Sequence, residues 1–220
     1  MAGTGIVTPE GIASYPTLAT PDEKGKYGIQ LVFTKDADIT EIKRAALSVL
    51  KEKYGEKLNG GKIVSLDTAH GKANFLRAGN LTLRLPWRDD PDVLENKGYT
   101  GLGGVVFIGA RTKQPPGVVS TVPNQDGKPS VIEPEAIYPG AIVKALIRAY
   151  SYDTDGSLGA ALALDGVQFI RDGERLDGRS NVQDVFDADE NAVASLSDLT
   201  GEEETVAANE GGDDLSDLIG

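Results

Sequence analysis

The chain has no cysteine and a single histidine, His70, in 220 residues. The first absence excludes disulfides, thiolate metal ligands and thiol nucleophiles. The second excludes multi-histidine metal sites and argues against a Ser–His triad. No apolar run approaches the roughly 20 residues that a membrane span requires, and the opening MAGTGIVTPEG lacks the basic and apolar regions of a signal peptide. We therefore expect a cytoplasmic protein with no metal, no cofactor and no membrane segment.

Basic residues are missing from one part of the chain only. Residues 181–220 hold twelve Asp or Glu and no Lys or Arg, whereas residues 1–180 carry 22 charges of each sign. The net charge of −12 is therefore located entirely in the last forty residues. Such a composition is typical of a disordered interaction element. The sequence predicts a folded domain over residues 1–181 and an acidic, disordered tail over residues 182–220.

The folded part has one convincing helix. Residues 36–54 carry an apolar stripe at helical spacing, with Asp36 or Asp38 as the N-terminal cap and Gly55 at the end. Residues 55–80 are weakly patterned and predict a loop or a marginal hairpin. The rest consists of short alternating stretches between Gly/Pro turns, including residues 26–35 and 158–171. This organisation predicts an all-β fold with one helix, built as a small closed barrel.

The stretch over residues 140–153, GAIVKALIRAYSYD, alternates strictly. One predicted strand face is small and apolar, with Ala141, Val143, Ala145, Ile147 and Ala149. The other face carries Lys144, Arg148, Tyr150 and Tyr152. The first face suits the inside of a curved sheet, and the second suits a flat, charged ligand. The alternation alone leaves open which face points inward.

Single-stranded nucleic acid requires cations for its phosphates and aromatic faces for its bases. Residues 140–153 supply both, and Phe107 with Arg111 and Lys113 repeats the combination on another predicted strand. A third predicted strand carries Trp87 and Arg84, but on opposite faces. The candidate DNA-binding residues are Tyr150, Tyr152, Lys144, Arg148, Phe107, Arg111, Lys113, Arg84 and Trp87. For each aromatic residue the alternative is that its ring fills the barrel core.

The sequence offers little for catalysis. Asp89-Asp90-Pro91-Asp92 is typical of a turn, and Gly101-Leu102-Gly103-Gly104 lacks the Lys-Ser/Thr of a phosphate-binding loop. PGVVSTVPNQDG has the composition of sites in nucleotide-hydrolysing β-barrels, so this enzyme class stays open as an alternative. We predict that the chain is not an enzyme.

Four stretches carry a family resemblance: GIASYPTL, KYGIQLVFTKD, FIGARTKQPPGVV and YPGAIVKALIRAYSYDTDGSLGAALALDGVQFIRDGERLDGRS. Over residues 11–186 the chain resembles the single-stranded DNA-binding proteins of tailed bacteriophages. The resemblance implies an OB-fold-like antiparallel barrel with long insertions at residues 55–80 and 114–136. It further implies non-sequence-specific binding of single-stranded DNA in phage replication and recombination, and an acidic tail that recruits replication proteins.

The end of the tail places apolar side chains among acids. Its candidate partner-binding residues are Asp213, Asp214, Leu215, Asp217, Leu218 and Ile219. They suit a basic, apolar pocket on a partner, although related tails commonly end with an aromatic residue. The alternative from another class is a protein-interaction or DNA-mimic module that does not bind DNA, which the zero net charge of residues 1–180 keeps open. Self-association of the chain also stays open.

Overall fold

A computed structural model describes residues 5–34, 36–68, 71–89, 105–154 and 156–176. The elements in these ranges are β1 (Ile6–Val7), β2 (Gly11–Thr17), β3 (Tyr27–Thr34), α1 (Thr40–Tyr54), β4 (Lys62–Thr68), β5 (Gly71–Ala78), β6 (Leu81–Arg84), β7 (Trp87–Arg88), β8 (Val105–Thr112), β9 (Gly117–Pro123), β10 (Pro129–Val131), β11 (Ile142–Thr154) and β12 (Ser157–Arg171). The prediction of an all-β fold with one helix is confirmed. His70 and the acidic tail lie outside the described residues, so the division at residue 181 stays a prediction.

Five strands close into a ring. β2 pairs with β3, and β3 with β8, both antiparallel. β8 then pairs with β12 in parallel, and the antiparallel pairs β12–β11 and β11–β2 complete the circuit. A five-stranded Greek-key ring of this kind is the framework of the OB-fold. The predicted OB-fold-like architecture is therefore confirmed.

The inside of the ring is filled by the small, apolar face of β11. Val143, Ala145 and Ile147 are at most 1% exposed, and they pack with inward residues of β3 and β12. The question that the alternation of residues 140–153 left open is thereby answered. The face with Lys144, Arg148, Tyr150 and Tyr152 points outward. Burial of this apolar face is what fixes the register, because a slip of one residue would exchange the two faces.

Helix α1 packs onto the same core through Ile39, Ile42, Ala46 and Leu50. It begins at Thr40, not at Asp36 as predicted. The Asp38 carboxylate accepts a hydrogen bond from the Thr40 backbone N–H at 2.9 Å. Such local side-chain bonds compete with helical hydrogen bonding and favour a turn before the helix. The helix ends as predicted at Gly55, where φ is +54°.

Both predicted insertions are hairpins. Over residues 55–80, β4 and β5 pair antiparallel, so the hairpin interpretation is right and the loop interpretation is wrong. Both faces of β4 are largely exposed, which explains why its sequence shows little alternation. In the predicted insertion over residues 114–136, β9 and β10 form a second hairpin. β9 extends the sheet by pairing in parallel with β12 at residues 166–168.

Gly159 permits a close approach of two backbones. It lies opposite Arg84, where β6 pairs with β12. A Cβ atom at this position would overlap the backbone oxygen of Arg84. The small-residue start of residues 158–171 predicts such a contact with another backbone or a ligand. The neighbour that the structure places there is the backbone of β6.

Candidate nucleic-acid interface

Four residues form a register-aligned row across the outside of the ring. Gly28 of β3 lies opposite Arg111 of β8, Arg111 lies opposite Ala163 of β12, and Ala163 lies opposite Arg148 of β11. Adjacent strands are about 4.8 Å apart, so the backbones of the two arginines are roughly 10 Å apart across the sheet. The row therefore places Arg111 on one side of Ala163 and Arg148 on the other.

Next to this row lie the two tyrosines. Tyr150 is opposite Ala161, and Tyr152 is opposite Gly159. On β3 and β8 the corresponding outward positions are Gln30 and Gly109, which also face each other. Together with the arginine row these residues form what we call the outer groove face: Gly28, Gln30, Gly109, Arg111, Arg148, Tyr150, Tyr152, Gly159, Ala161 and Ala163.

The floor of the outer groove face is made of Gly and Ala. A Cβ atom on Gly28 would come within 2.9 Å of the Arg111 Cγ atom, so this position has no room for a side chain. Above the floor, Tyr150 is 46% exposed and Tyr152 is half-buried. The open part of this floor is formed by Gly109, Ala161 and Ala163, since Gly28 and Gly159 are buried and neighbouring atoms already fill their Cβ positions. A flat group can lie there next to Tyr150, which is opposite Ala161. In OB-folds the face of the second and third barrel strands is the common oligonucleotide-binding surface. In this ring β2 is the first strand, so the second and third strands are β3 and β8.

Both arginines of the face are paired with carboxylates. Arg148 donates from Nε and from Nη2 to the two oxygens of Asp165, each at 2.6 Å. Arg111 donates from Nη1 to Asp22 at 3.1 Å. The hydrogen bonds from Arg148 hold the pKa of Asp165 below its usual value, and Asp165 raises the pKa of Arg148. The Arg148–Asp165 pair is therefore charged at neutral pH, and the Asp165 carboxylate partly neutralises the cation.

The remaining predicted cations lie around this face. Lys113 is exposed just beyond the end of β8. Lys144 is half-buried further along β11, opposite Gln168. Arg84 is half-buried where β6 meets Gly159. Of the predicted DNA-binding set, the structure therefore brings Arg111, Arg148, Tyr150 and Tyr152 together, with the other three cations at the periphery.

Phe107 and Trp87 are each 2% exposed. Trp87 lies opposite Ile108 and belongs to the core cluster, with the Lys43 ammonium 5.7 Å from its ring centroid. Phe107 lies opposite Val32, which is itself 1% exposed. A buried ring offers no face to a base, so both residues fit the alternative of core packing, and neither is part of the interface proposed below.

The sequence does not predict which carboxylates pair with the two arginines of this face. Asp165 is 17 positions from Arg148, and Asp22 is 89 positions from Arg111. No local pattern links residues at such separations. The small-residue run of residues 159–161 was the one available signal for the floor.

Two classes of site are not found in the described part of the chain. It contains no group of three or more His, Asp or Glu side chains that could hold a metal ion. None of its helices is long and apolar enough to cross a membrane. The predicted partner-binding residues Asp213–Ile219 lie outside the described ranges.

The closed five-strand ring with an aromatic and cationic outer face defines an OB-fold-like protein. Residues 6–196 match the family model described as Enterobacter phage Enc34, ssDNA-binding protein. The chain belongs to this family of phage ssDNA-binding proteins, and the family resemblance seen in the sequence is confirmed.

Individual relatives come from phages. Protein p50 of Acyrthosiphon pisum secondary endosymbiont phage 1 is 29% identical over 190 residues, which cover 84% of this chain and 89% of that protein. A C-terminal truncation of the single-stranded DNA-binding protein from bacteriophage Enc34 has a TM-score of 0.50 at 23% identity, covering 78% of this chain and 86% of that one. For gp2.5, a single-stranded DNA-binding protein encoded by bacteriophage T7, the TM-score is 0.50 at 17% identity, covering 94% and 100%. The two structures support the fold.

Proposed function

We propose that the chain binds single-stranded DNA without sequence specificity and protects it during phage replication and recombination. The observation that carries the proposal is the outer groove face, where exposed Tyr150 and Arg111 stand over a floor of Gly and Ala. Membership of a family of ssDNA-binding proteins supports the same function. It also supports the prediction that the chain is not an enzyme. A host-cytoplasmic location fits such a role.

In this proposal the bases stack and the phosphates pair with cations. A base lies against the ring of Tyr150, and each such stack contributes about 1–3 kcal/mol. Arg111 and Lys113, both exposed, contact phosphates on the same side of the ring. Every base has a π-face and every nucleotide a phosphate, so these contacts do not discriminate between sequences.

The proposal is tested by titrating a labelled oligonucleotide and its duplex with the protein at several salt concentrations. We expect tighter binding to the single strand, with log K falling linearly against log[salt] by about 0.7 per phosphate contact. No binding at low salt would overturn the proposal and favour the protein-interaction or DNA-mimic alternative. Nucleotide turnover in the presence of a divalent metal would instead favour the hydrolase alternative.

The acidic tail is proposed to compete with DNA and to recruit partners. A polyanion tethered to the domain has a high effective concentration at a cationic surface. Its last residues, Asp213–Ile219, combine acids with Leu and Ile, which suits docking into a basic, apolar pocket of a replication or recombination protein. The composition of residues 182–220 supports both proposed roles.

Deleting residues 187–220 is expected to tighten single-strand binding, most strongly at low salt, because unscreened charges compete best. The measurement is the same oligonucleotide titration on the full-length and shortened chains. A variant of unchanged length, with the tail acids replaced by Asn or Gln, separates charge from chain length and is expected to behave like the deletion. Weaker binding by either variant would contradict competition.

A further inference from the structure

A β-bulge interrupts the pairing of β11 with β12 beside the outer groove face. Leu146 lies opposite Gly166, whereas the next residue, Ile147, lies opposite Leu164. Asp165 is thus the extra residue of β12, without a cross-strand partner of its own. Bulges re-aim side chains and occur preferentially next to functional sites. Here the side chain that is re-aimed is a carboxylate.

The bulge displaces the Arg148 guanidinium along the sheet. The backbone of Arg148 is opposite Ala163, and Asp165 lies beyond Ala163 on the side away from Ala161. The two 2.6 Å hydrogen bonds from Nε and Nη2 therefore draw the guanidinium toward the bulge and away from Tyr150. Its Nη1 group makes no hydrogen bond to any described residue.

The Arg111–Asp22 pair has fewer contacts and a more exposed cation than the Arg148–Asp165 pair. It has one contact, at 3.1 Å, and the Arg111 side chain is 63% exposed. The other Asp22 oxygen already accepts the backbone N–H groups of Lys24 and Lys26. An exposed single contact contributes little and is readily replaced by a phosphate. The two-point contact of Arg148 fixes direction as well as distance.

We propose that Asp165 is a positioning residue for single-stranded DNA binding. From the bulge it holds the Arg148 guanidinium beside the Ala161–Ala163 floor instead of over it. A base can then lie against Tyr150 while the Nη1 group faces the phosphate of the same strand. This inference rests on the proposed function, and it assigns to an acidic residue a favourable role at a surface for a polyanion.

The opposite role for Asp165 is that of a simple competitor, and the two roles predict opposite signs. If its charge only repels phosphates, removing that charge should tighten binding and steepen the salt dependence. If it positions Arg148, any change that breaks the two-point contact should weaken binding. A variant that keeps the charge but moves the carboxylate distinguishes geometry from charge.

The test uses the full-length chain in the salt-titrated binding assay with a labelled single-stranded oligonucleotide. Asp165→Asn, Asp165→Glu and Arg148→Lys are each expected to weaken binding about tenfold, the size of one lost charge-assisted hydrogen bond. For Asp165→Glu and Arg148→Lys, which keep the charges, we expect an unchanged salt slope. The matched control is Asp22→Asn, for which we expect equal or tighter binding because Arg111 is released.

Tighter binding with a steeper salt slope in Asp165→Asn would overturn the proposal, and so would affinities that match the wild type in all three variants. Thermal unfolding is followed in parallel. If the Asp165 variants do not fold, wild-type affinity in Arg148→Lys overturns the proposal, because this variant keeps the charge and the bulge but breaks the two-point contact. A wild-type chain that does not bind would overturn the proposed function as well, whereas wild-type binding with indifferent variants would overturn only the role of Asp165.

Discussion

Replacing Tyr150 and Tyr152 together by alanine is expected to weaken single-strand binding about five- to 150-fold, which corresponds to about 1–3 kcal/mol for one stacked base. Tyr150 should account for most of this loss, because it is 46% exposed and Tyr152 is half-buried. The replacement leaves the core intact, since both rings lie on the outer face of β11. The measurement is a fluorescence titration with a labelled oligonucleotide, at a salt concentration where the wild type is not saturated.

The matched control replaces both tyrosines by phenylalanine. The ring face is kept and only the hydroxyl is lost, so affinity should stay within about twofold of the wild type if stacking carries the contact. Unchanged affinity in a folded double-alanine variant would refute the assignment of these rings to base stacking. A similar loss in the phenylalanine variant would point to the hydroxyl groups instead.

Substituting Gly159 by alanine is expected to destabilise the fold by about 1–3 kcal/mol or more, as overpacking of a rigid contact does. The added Cβ atom meets the backbone oxygen of Arg84, not a flexible side chain that could turn away. The strain can be relieved only by moving β6 away from β12, which breaks the pairing between them. Urea denaturation followed by circular dichroism measures the change in the free energy of unfolding.

Gly109 provides the control on a neighbouring strand of the ring. Apart from its two chain neighbours, no described residue has an atom within 4 Å of a Cβ atom added there. Gly109→Ala is therefore expected to be neutral or stabilising by roughly 0.5–1 kcal/mol, because glycine loses more conformational freedom on folding. If Gly159→Ala is as stable as Gly109→Ala, the close approach of β6 and β12 is not a constraint on this fold.

The sequence predicts those strands and helices whose apolar residues recur at a regular local spacing. The alternation of residues 140–153 predicts β11, and the apolar stripe of residues 36–54 predicts α1, although the helix begins four residues later, at Thr40. Alternation fails for β4 because both of its faces are largely exposed, so nothing in its sequence needs to repeat. Ring closure depends on pairings such as Leu162 with Ala110, which lie 52 positions apart and leave no local signal.

For the candidate site, the sequence predicts the strand face on which a side chain lies but not how deeply the side chain is buried. Phe107 and Arg111 share the outward face of β8, as their even spacing predicts, yet Phe107 is buried and Arg111 is exposed. Alternation tells which way a side chain points and not what covers it. The acidic partners of the arginines were not predicted for a similar reason. A carboxylate such as Asp165 reaches Arg148 through a bulge, and a bulge is a departure from the very regularity that sequence patterns detect.

The number of strands that pair with β12 affects how the chain folds during its synthesis. This strand bonds to β11, β8, β9 and β6. A nascent chain that has not yet delivered residues 157–171 therefore carries several strands whose edges have no neighbour. Unpaired edges of this kind are prone to association with other chains. We therefore expect these edges to stay exposed until β12 has been synthesised and pairs with β11 in their hairpin.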